Sequence, residues 1–406
     1  MIRNTNKYIA NNLLVHRLQN CNGFTLIEMI IVMGVFMVVL YITSQALQTV
    51  TTKGGTVRVS EQSNIGGMVG LEIMRRDIMQ AGVGLFTFDG ALPTYAEGAG
   101  AQYSTYNDAN SVPRAVVTGN NLAIAGVLAG TDYLVIKSTT VGLAATSQLW
   151  TYILSDGTRK QWGVDDFTDT TNKMIVLERD STTDTNMLKM VDSGNYCVGY
   201  TAAGDFRDAL NNDVSTYLPA SGKIAYAYGI MNSGAVCNLR APFNRADFYV
   251  ERDGNTPASC SPAAGVLYKA SLNHADGTFT EIPILDCVAE MQVVLGWNTT
   301  TSPDSSLVDT WSNADGSVTI GGGAVGSYLG DPESIRKRLK MVMVYLLAQD
   351  GRLDRNFSNS NAAMLIGDQL LDPGGTLTRT VDLTTANFIN YRWKLYRIVV
   401  RPKNLS

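Results

Sequence analysis

Histidine is almost missing from this chain of 406 residues, which contains only His16 and His274. A His-based catalytic triad or a His-rich metal site therefore has one candidate at most outside the first 23 residues. No Gly-x-x-x-x-Gly-Lys-Ser/Thr loop is present to hold nucleotide phosphates. The sequence predicts no catalytic residue, no metal ligand, no cofactor and no enzymatic activity. His274 lies in Asn-His-Ala-Asp-Gly and is expected in a surface turn.

Charged residues are also few, at 17% of the chain, and the formal net charge is −4. The first 23 residues contain Arg3, Lys7 and Arg17 but no acid, so the remainder is more acidic than the total. A mildly acidic surface is a poor general partner for nucleic acid. One basic run, at 336–340, is the local exception, and we expect it to be a solvated strand end.

Acidic turns that could donate oxygens to calcium are limited to 253–255 and 315–317. Neither turn continues into a complete EF-hand loop with a glutamate at its end. Turn geometry by itself explains Asp-Gly pairs without any ion. We therefore predict no calcium site.

No two cysteines are spaced as Cys-x-x-Cys, which argues against a structural zinc site and a thioredoxin-type redox site. If a leader that contains Cys21 is removed, an even set of four remains: Cys197, Cys237, Cys260 and Cys287. Such a set in an exported domain indicates two disulfides. Three pairings are possible, and the sequence does not choose between them.

A single long apolar run extends from Phe24 to Ile42. As a helix it would be about 28 Å long, close to the thickness of the hydrocarbon core of a bilayer. Ordinary secretory signals carry their cleavage site after the apolar run, behind small residues. Here the small residue Gly23 precedes the run and no such site directly follows Ile42, so we expect the helix to be retained.

Glu28 is the one charged residue in this run. A carboxylate inside a membrane helix costs roughly 2.5–3.5 kcal/mol on insertion scales and needs a compensating partner. Cleavage after Gly23 would place a positive amine on Phe24, one helical turn away. Glu28 would then either be neutralised within its own chain or at the headgroups, or contact the Phe24 amine of a neighbouring subunit. The second arrangement favours packing side by side and fixes the axial register.

The sequence Gly23-Phe-Thr-Leu-Ile-Glu28, between a polar basic leader and an apolar run, resembles the type IV prepilin processing motif. This resemblance implies that a prepilin peptidase cuts after Gly23 and methylates the new N-terminus at Phe24. It also favours the contact between Glu28 and a neighbouring subunit. The alternative is a plain signal-anchor helix in which the glutamate is incidental.

Helical periodicity continues after the apolar run. Apolar residues at spacings of three and four indicate an amphipathic helix whose stripe docks on a sheet: Leu71, Met74, Ile78 and Ala81. Interior glycines at 54–55, 66–67 and 70 each cost about 0.5–1 kcal/mol relative to alanine, so we expect them to loosen the middle of the helix. Gly82 is a plausible helix end.

Further along, short runs with strand character alternate with Gly, Asn, Asp and Ser turns. Strands are predicted at 133–136, 149–153, 174–177, 223–228, 247–250, 266–270, 291–295, 339–345 and 393–400, with long loops at 88–128 and 300–333. The fold class is α+β, with a long N-terminal membrane-spanning pilin helix before a large, mainly antiparallel β globular head. The predicted leader is 1–23, the helix 24–84 with its transmembrane part at 24–42, and the head 85–406, as one unit or two subdomains.

Four scattered segments resemble the PilW family of minor pilins. They are Leu71–Gly82 with its Arg75-Arg-Asp77, Thr131–Ile136, Ile284–Gly296 and Tyr391–Asn404. Residues 88–128, 185–245 and 300–330 match nothing in that family, so the resemblance carries no expectation for them.

The resemblance implies a minor pilin that acts in initiation and assembly of a type IV pilus, at or near its tip. Expected partners are a prepilin peptidase, inner-membrane lipid, the major pilin and other minor pilins. The precursor would lie in the inner membrane with its head in the periplasm, and the mature protein at the pilus or cell surface. Two alternatives stay open: a minor pseudopilin of type II secretion, or a tip adhesin or DNA-uptake receptor whose head binds a surface ligand or DNA.

Overall fold

The computed structural model describes residues 25–87, 92–156, 160, 167, 171–180, 182, 185–190, 195–200, 206–208, 217–232, 237, 239–303, 306–368 and 370–405. For 49–66, 200 and 206–208 it describes the backbone alone. The chain divides into two compact units, Met1–Arg58 and Val59–Ser406. The predicted leader at 1–23 lies outside the described residues, and the predicted boundaries of helix and head stay predictions.

One long helix, α1 (Leu26–Met79), contains the boundary between the two units. It is helical without interruption across 54–55 and 66–67, so the expected loosening at these glycines is wrong. Within the C-terminal unit its apolar stripe is buried as predicted, because Leu71, Met74, Ile78 and Ala81 all belong to the main core.

Two glycines let α1 approach the main sheet closely. A Cβ atom at Gly70 would lie 1.9 Å from the carbonyl oxygen of Ile284, and one at Gly67 would lie 2.6 Å from Leu285 Cδ1. No side chain fits at the first position, because the obstacle is backbone. The reduced helix propensity of glycine is therefore offset by contact between helix and strand.

The main sheet has nine strands, and all its pairings are antiparallel. Across the sheet the order is β1 (Val116–Gly119), β2 (Tyr133–Ser138), β9 (Asn244–Glu251), β10 (Gly265–Leu272), β11 (Phe279–Trp297), β12 (Thr310–Asn313) and β13 (Thr319–Ile320). On this sheet β14 (Leu339–Asp350) pairs with β11, and β17 (Arg392–Val400) pairs with β14.

A second, six-stranded sheet has the order β3 (Trp150–Leu154), β8 (Ile224–Asn232), β4 (Asn172–Asp180), β6 (Val198–Tyr200) and β7 (Phe206–Asp208), with β5 (Thr185–Leu188) beside β4. A third sheet pairs β15 (Ala363–Ile366) with β16 (Arg379–Asp382). Two short α-helices are also described, α2 (Ala101–Ser104) and α3 (Pro332–Arg338). Three 3-10 helices lie at Thr139–Val141, Ala145–Gln148 and Tyr328–Gly330.

The nine predicted strands are all present, as β2, β3, β4, β8, β9, β10, β11, β14 and β17. The α+β class, with an apolar helix followed by a large, mainly antiparallel β domain, is confirmed. Both long regions predicted as loops contain short elements, namely α2 and β1 in the first and β12 and β13 in the second. These strands have two to four residues, too few to show a period in the sequence.

The basic run is not a solvated strand end, which corrects the expectation. It forms the last turn of α3, where cations suit the helix dipole. Arg336 and Lys337 pair with Glu333 at 3.0 and 2.9 Å, and Arg338 Nη1 donates to the carbonyl of Thr300 at 3.0 Å. Lys340 follows in β14 and is buried.

The four remaining cysteines form two disulfides, as predicted. The structure selects one of the three possible pairings: Cys197 with Cys237 and Cys260 with Cys287. The first closes a loop of 40 residues and the second a loop of 27. Each cross-link restricts the unfolded chain by an amount worth about 3–4 kcal/mol in the chain-entropy model.

His274 is buried, so its expected place in a surface turn is wrong. Its Nε2 lies 3.1 Å from Asn244 Oδ1, and the backbone N–H of Ala241 donates to its Nδ1 at 3.5 Å. Complete burial lowers its pKa to about 4, and the nearby charge of Arg240 acts in the same direction. The histidine is therefore held as a neutral core residue.

We predict that Gly70→Ala destabilises the C-terminal unit by about 1–3 kcal/mol, because the new methyl group overlaps the Ile284 carbonyl. The matched control is Gly34→Ala, since a Cβ there meets nothing within 4 Å. Chemical unfolding of the full-length protein in detergent, followed by near-UV circular dichroism, measures the difference. Equal midpoints for the two variants would contradict the close approach.

We also predict that His274 makes stability depend on pH. Its pKa is about 4 when folded and about 6.5 when unfolded, so below pH 6.5 only the unfolded chain gains a proton. The free energy of unfolding should fall by up to about 3 kcal/mol as the pH drops from 6.5 through 4. His274→Gln should show a correspondingly smaller fall. Burial raises the pKa of Glu290 to about 7. This carboxyl titrates in wild type and in His274→Gln alike, so its contribution to the pH dependence cancels when the two proteins are compared.

Candidate assembly site at the start of the helix

The first turn of α1 is closed by a reciprocal pair of side chains. The backbone N–H and the hydroxyl of Thr25 donate to Glu28 Oε2 at 3.3 and 3.4 Å, and the backbone N–H of Glu28 donates to Thr25 Oγ1 at 3.3 Å. This is a capping box, in which residues at N-cap and N3 each satisfy a free donor of the other. It places the carboxylate at the positive end of the helix dipole.

Thr25 is the site residue that the sequence reasoning missed. The signal was present, because Thr25-Leu-Ile-Glu28 has the spacing of Ser/Thr-x-x-Glu/Gln before an apolar run. Glu28 was instead interpreted only as a charge that needs a positive partner. The structure gives it a second role, which is to help start the helix.

The capping box leaves part of the carboxylate available. Both donors from Thr25 reach Oε2, and among the described residues Oε1 accepts no hydrogen bond. A carboxylate can accept several hydrogen bonds through its two oxygens. A cation can therefore be added at Glu28 without breaking the cap.

The residues after Glu28 form an apolar helix with its side chains exposed. Leu26–Gln48 is long and apolar enough to cross a membrane, and its most apolar part is not buried in the described protein. Its exposed side chains include Ile30, Phe36 and Met37, each more than half accessible. A surface of this kind is stable only in lipid or against other apolar surfaces.

Polar groups near the far end of this segment are bonded within the helix. The Thr43 hydroxyl donates to the carbonyls of Val39 at 2.8 Å and Leu40 at 3.0 Å, and Gln45 Nε2 donates to the Tyr41 hydroxyl at 3.0 Å. Polar groups in hydrocarbon need internal partners of this kind. The helix can thus be embedded beyond the predicted end at 42.

Gly23 and Phe24, the predicted cleavage and N-methylation residues, lie outside the described residues. Thr25 directly follows them and Glu28 is described, so the structure reports one side of the predicted charge pair. Cleavage, methylation and the contact between subunits stay predictions.

Buried charges in the C-terminal unit form the most concentrated polar cluster seen there. Lys137 Nζ lies 2.8 Å from Glu97 Oε2 and 2.7 Å from Asp108 Oδ2, Arg245 Nη1 lies 3.2 Å from Glu97 Oε2, and Arg114 Nε lies 2.7 Å from Asp108 Oδ1. Each acid faces two cations at ion-pair distance. The cluster ties β2 and β9 to the segment at 97–114, and removal of one partner would leave a buried charge uncompensated.

The acidic turns considered for calcium are closed by their own hydrogen bonds. Asn255 Nδ2 donates to Asp253 Oδ2 at 2.7 Å, and the N–H of Ser317 donates to Asp315 Oδ1 at 2.9 Å. Within the part of the chain that the structure describes, no three His, Cys, Asp or Glu side chains are grouped as metal ligands.

Comparison with known proteins bears on the start of the chain. Residues 18–41 match the prokaryotic N-terminal methylation motif, and this range includes Gly23, Phe24 and Glu28. No curated protein and no solved structure matches the chain. The motif implies processing by a prepilin peptidase and assembly with other pilins, and together with the apolar helix it fits a membrane-anchored precursor. These findings support a type IV pilin-like protein, of a pilus or a pseudopilus.

Proposed function

We propose that this protein is a minor pilin of a type IV pilus that acts in initiation and assembly of the filament and lies at or near its tip. The observation that carries the proposal is the exposed apolar helix Leu26–Gln48, preceded by the methylation motif and followed by a large β domain. Each large apolar side chain gains about 1.5–3 kcal/mol when it is buried, so the helix strongly favours lipid or the helices of other subunits.

The assembly contact that we propose joins Glu28 of one subunit to the Phe24 amine of the next. Oε1 of Glu28, which accepts no hydrogen bond from the residues that the structure describes, can accept this amine while Thr25 still donates to Oε2. Inside hydrocarbon an unpaired carboxylate is costly, so pairing favours the assembled state and sets the axial register. The membrane would hold the precursor until it is extracted into the filament.

The assignment to the PilW type of minor pilin rests on four segments that were scattered in the sequence. In the structure they come together around the main sheet. The Val293 N–H donates to Asp132 Oδ2 at 2.7 Å, and the Lys403 N–H donates to the carbonyl of Met79 at 3.1 Å. Asp77, at the end of α1, forms a buried ion pair of 2.6 Å with Lys269 on β10. These contacts support the proposal that the four segments form one structural unit.

The size of the head supports a place at the tip. The C-terminal unit comprises residues 59–406, and a domain of this size is awkward to repeat along a helical shaft, whereas an end tolerates it. The buried charges of Glu97, Asp108, Lys137 and Arg245 are held in ion pairs between segments of the fold. We accordingly propose a structural role in the filament and no catalytic one.

We predict that Glu28→Val is processed normally but is recovered in sheared filaments at least tenfold less than wild type. Valine removes the carboxylate that would pair with the Phe24 amine. A tenfold loss of incorporation corresponds to a free-energy difference of only about 1.4 kcal/mol. Gly23→Phe is the reference for a block at the earlier step, since it should stay uncleaved in the membrane. N-terminal mass analysis and blots of membrane and filament fractions separate the steps. Wild-type incorporation of Glu28→Val would rule out the charge pair.

Labelling of whole filaments tests the proposed position. Gold-conjugated antibody against residues 59–406 should mark filament ends, and deletion of the gene should reduce the number of surface pili. Label spread evenly along the shaft would indicate a major subunit. Loss of protein secretion with normal piliation would instead indicate a pseudopilin.

A further inference from the structure

A cavity of about 890 Å³ lies in the C-terminal unit, beyond the end of α1. Its walls are formed by the segment at 80–87, by the second sheet, and by the start of α3 together with residues 403–405. Sites for small ligands typically have volumes of about 300–1,000 Å³. Neither the proposed assembly contact nor the disulfides involve it.

Three aromatic side chains of the second sheet form one wall: Trp150 on β3, and Tyr226 and Tyr228 on β8. Trp150 is directly opposite Tyr228 in the strand register, and the ring centroids of the two tyrosines are 6.4 Å apart with 27° between their planes. Because side chains alternate along a strand, Tyr226 and Tyr228 lie on one face. Trp150 is 43% exposed, so solvent reaches this wall.

The face of the second sheet that carries these rings also packs against the main core. Ile175 and Leu177 on β4 pair with Tyr228 and Tyr226 and are buried in that core, and Tyr228 packs against it. The opposite face of the sheet has a separate core, which includes Ile153. The sheet is thus anchored through β4 and Tyr228, and at the edge of this packing the three rings line the cavity.

Polar groups line the cavity beside the rings: Arg179, Asn186, Glu333, Arg336 and Lys403. The Nε of Arg336 donates to Glu333 Oε2 at 3.0 Å, and this hydrogen bond lowers the pKa of Glu333 to about 2. Glu333 is therefore an anion at physiological pH and offers only acceptors. The guanidinium and amide groups supply donors at fixed angles.

We propose that this cavity binds a neutral oligosaccharide. A sugar ring has an apolar C–H face that can pack on Trp and Tyr, while its hydroxyls can donate to Glu333 and accept from Arg179. A fully apolar ligand would remove these charges from water without offering them any hydrogen bond, which is costly even for charges that are paired. A nucleic acid is disfavoured because Asp331 and Glu333 share the wall with the arginines and the chain has a net charge of −4.

This inference goes beyond the proposed function, because sugar binding by the head requires neither cleavage after Gly23 nor the Glu28 contact. A head at a filament tip with such a site would attach the filament to a glycan-coated surface. The competing interpretation is a packing gap between the two sheets, which would bind no sugar.

The test is calorimetric titration of the full-length protein with cellohexaose, maltohexaose and chitohexaose. The detergent should have no sugar headgroup, because a maltoside would compete for the site. At least one probe should bind saturably. Trp150→Ala should weaken that binding at least tenfold, and Trp150→Phe, which keeps an aromatic face, should retain most of it.

The matched control is Tyr152→Ala, two residues along β3 on the same face but not part of the cavity wall. It should bind as wild type does. Arg179→Gln, at the exposed polar wall, should also weaken binding. Thermal unfolding shows whether each variant is folded, and Arg179→Gln takes the place of Trp150→Ala if the latter is not. The proposal is overturned if no probe binds at millimolar concentration. It is also overturned if every cavity variant that folds, whether Trp150→Ala, Arg179→Gln or both, binds sugar as wild type does.

Discussion

The exposure of an apolar helix is the constraint on which the rest of this protein depends. Leu26–Gln48 buries none of its most apolar part within the described protein, yet the Thr25 and Glu28 cap and the Thr43 hydroxyl are hydrogen-bonded within the helix. Such a segment is disfavoured in water and compatible with hydrocarbon. This property fits a membrane-anchored precursor, and it is the physical basis of the assembly that we propose.

A second constraint is the contact between the last turns of the helix and the main sheet. Gly67 and Gly70 allow the α1 backbone to approach β11, and the buried pair of Asp77 with Lys269 fixes the end of the helix on β10. Close packing at this point leaves little freedom for substitution, since the nearest atom to Gly70 is a backbone oxygen.

In the C-terminal unit, the sheet, ion pairs and disulfides that hold the fold together can be distinguished from the residues that line the cavity. The main sheet, the buried ion pairs and the disulfides account for stability, whereas Trp150 and its neighbouring tyrosines line a cavity. This separation is physically reasonable for a filament subunit. Helices that must pack against copies of one another tolerate little change, but a domain at an end can acquire a ligand site without disturbing them.

The sequence by itself determined the features that depend on neighbours along the chain. The apolar run, the helical stripe near Met74 and the nine predicted strands are visible in the sequence, because each is a pattern formed by neighbouring residues. The tertiary structure alone decided what depends on distant contacts. The pairing of the cysteines, the burial of His274 and the role of Gly70 could not be predicted, because each is set by residues that are distant in the sequence.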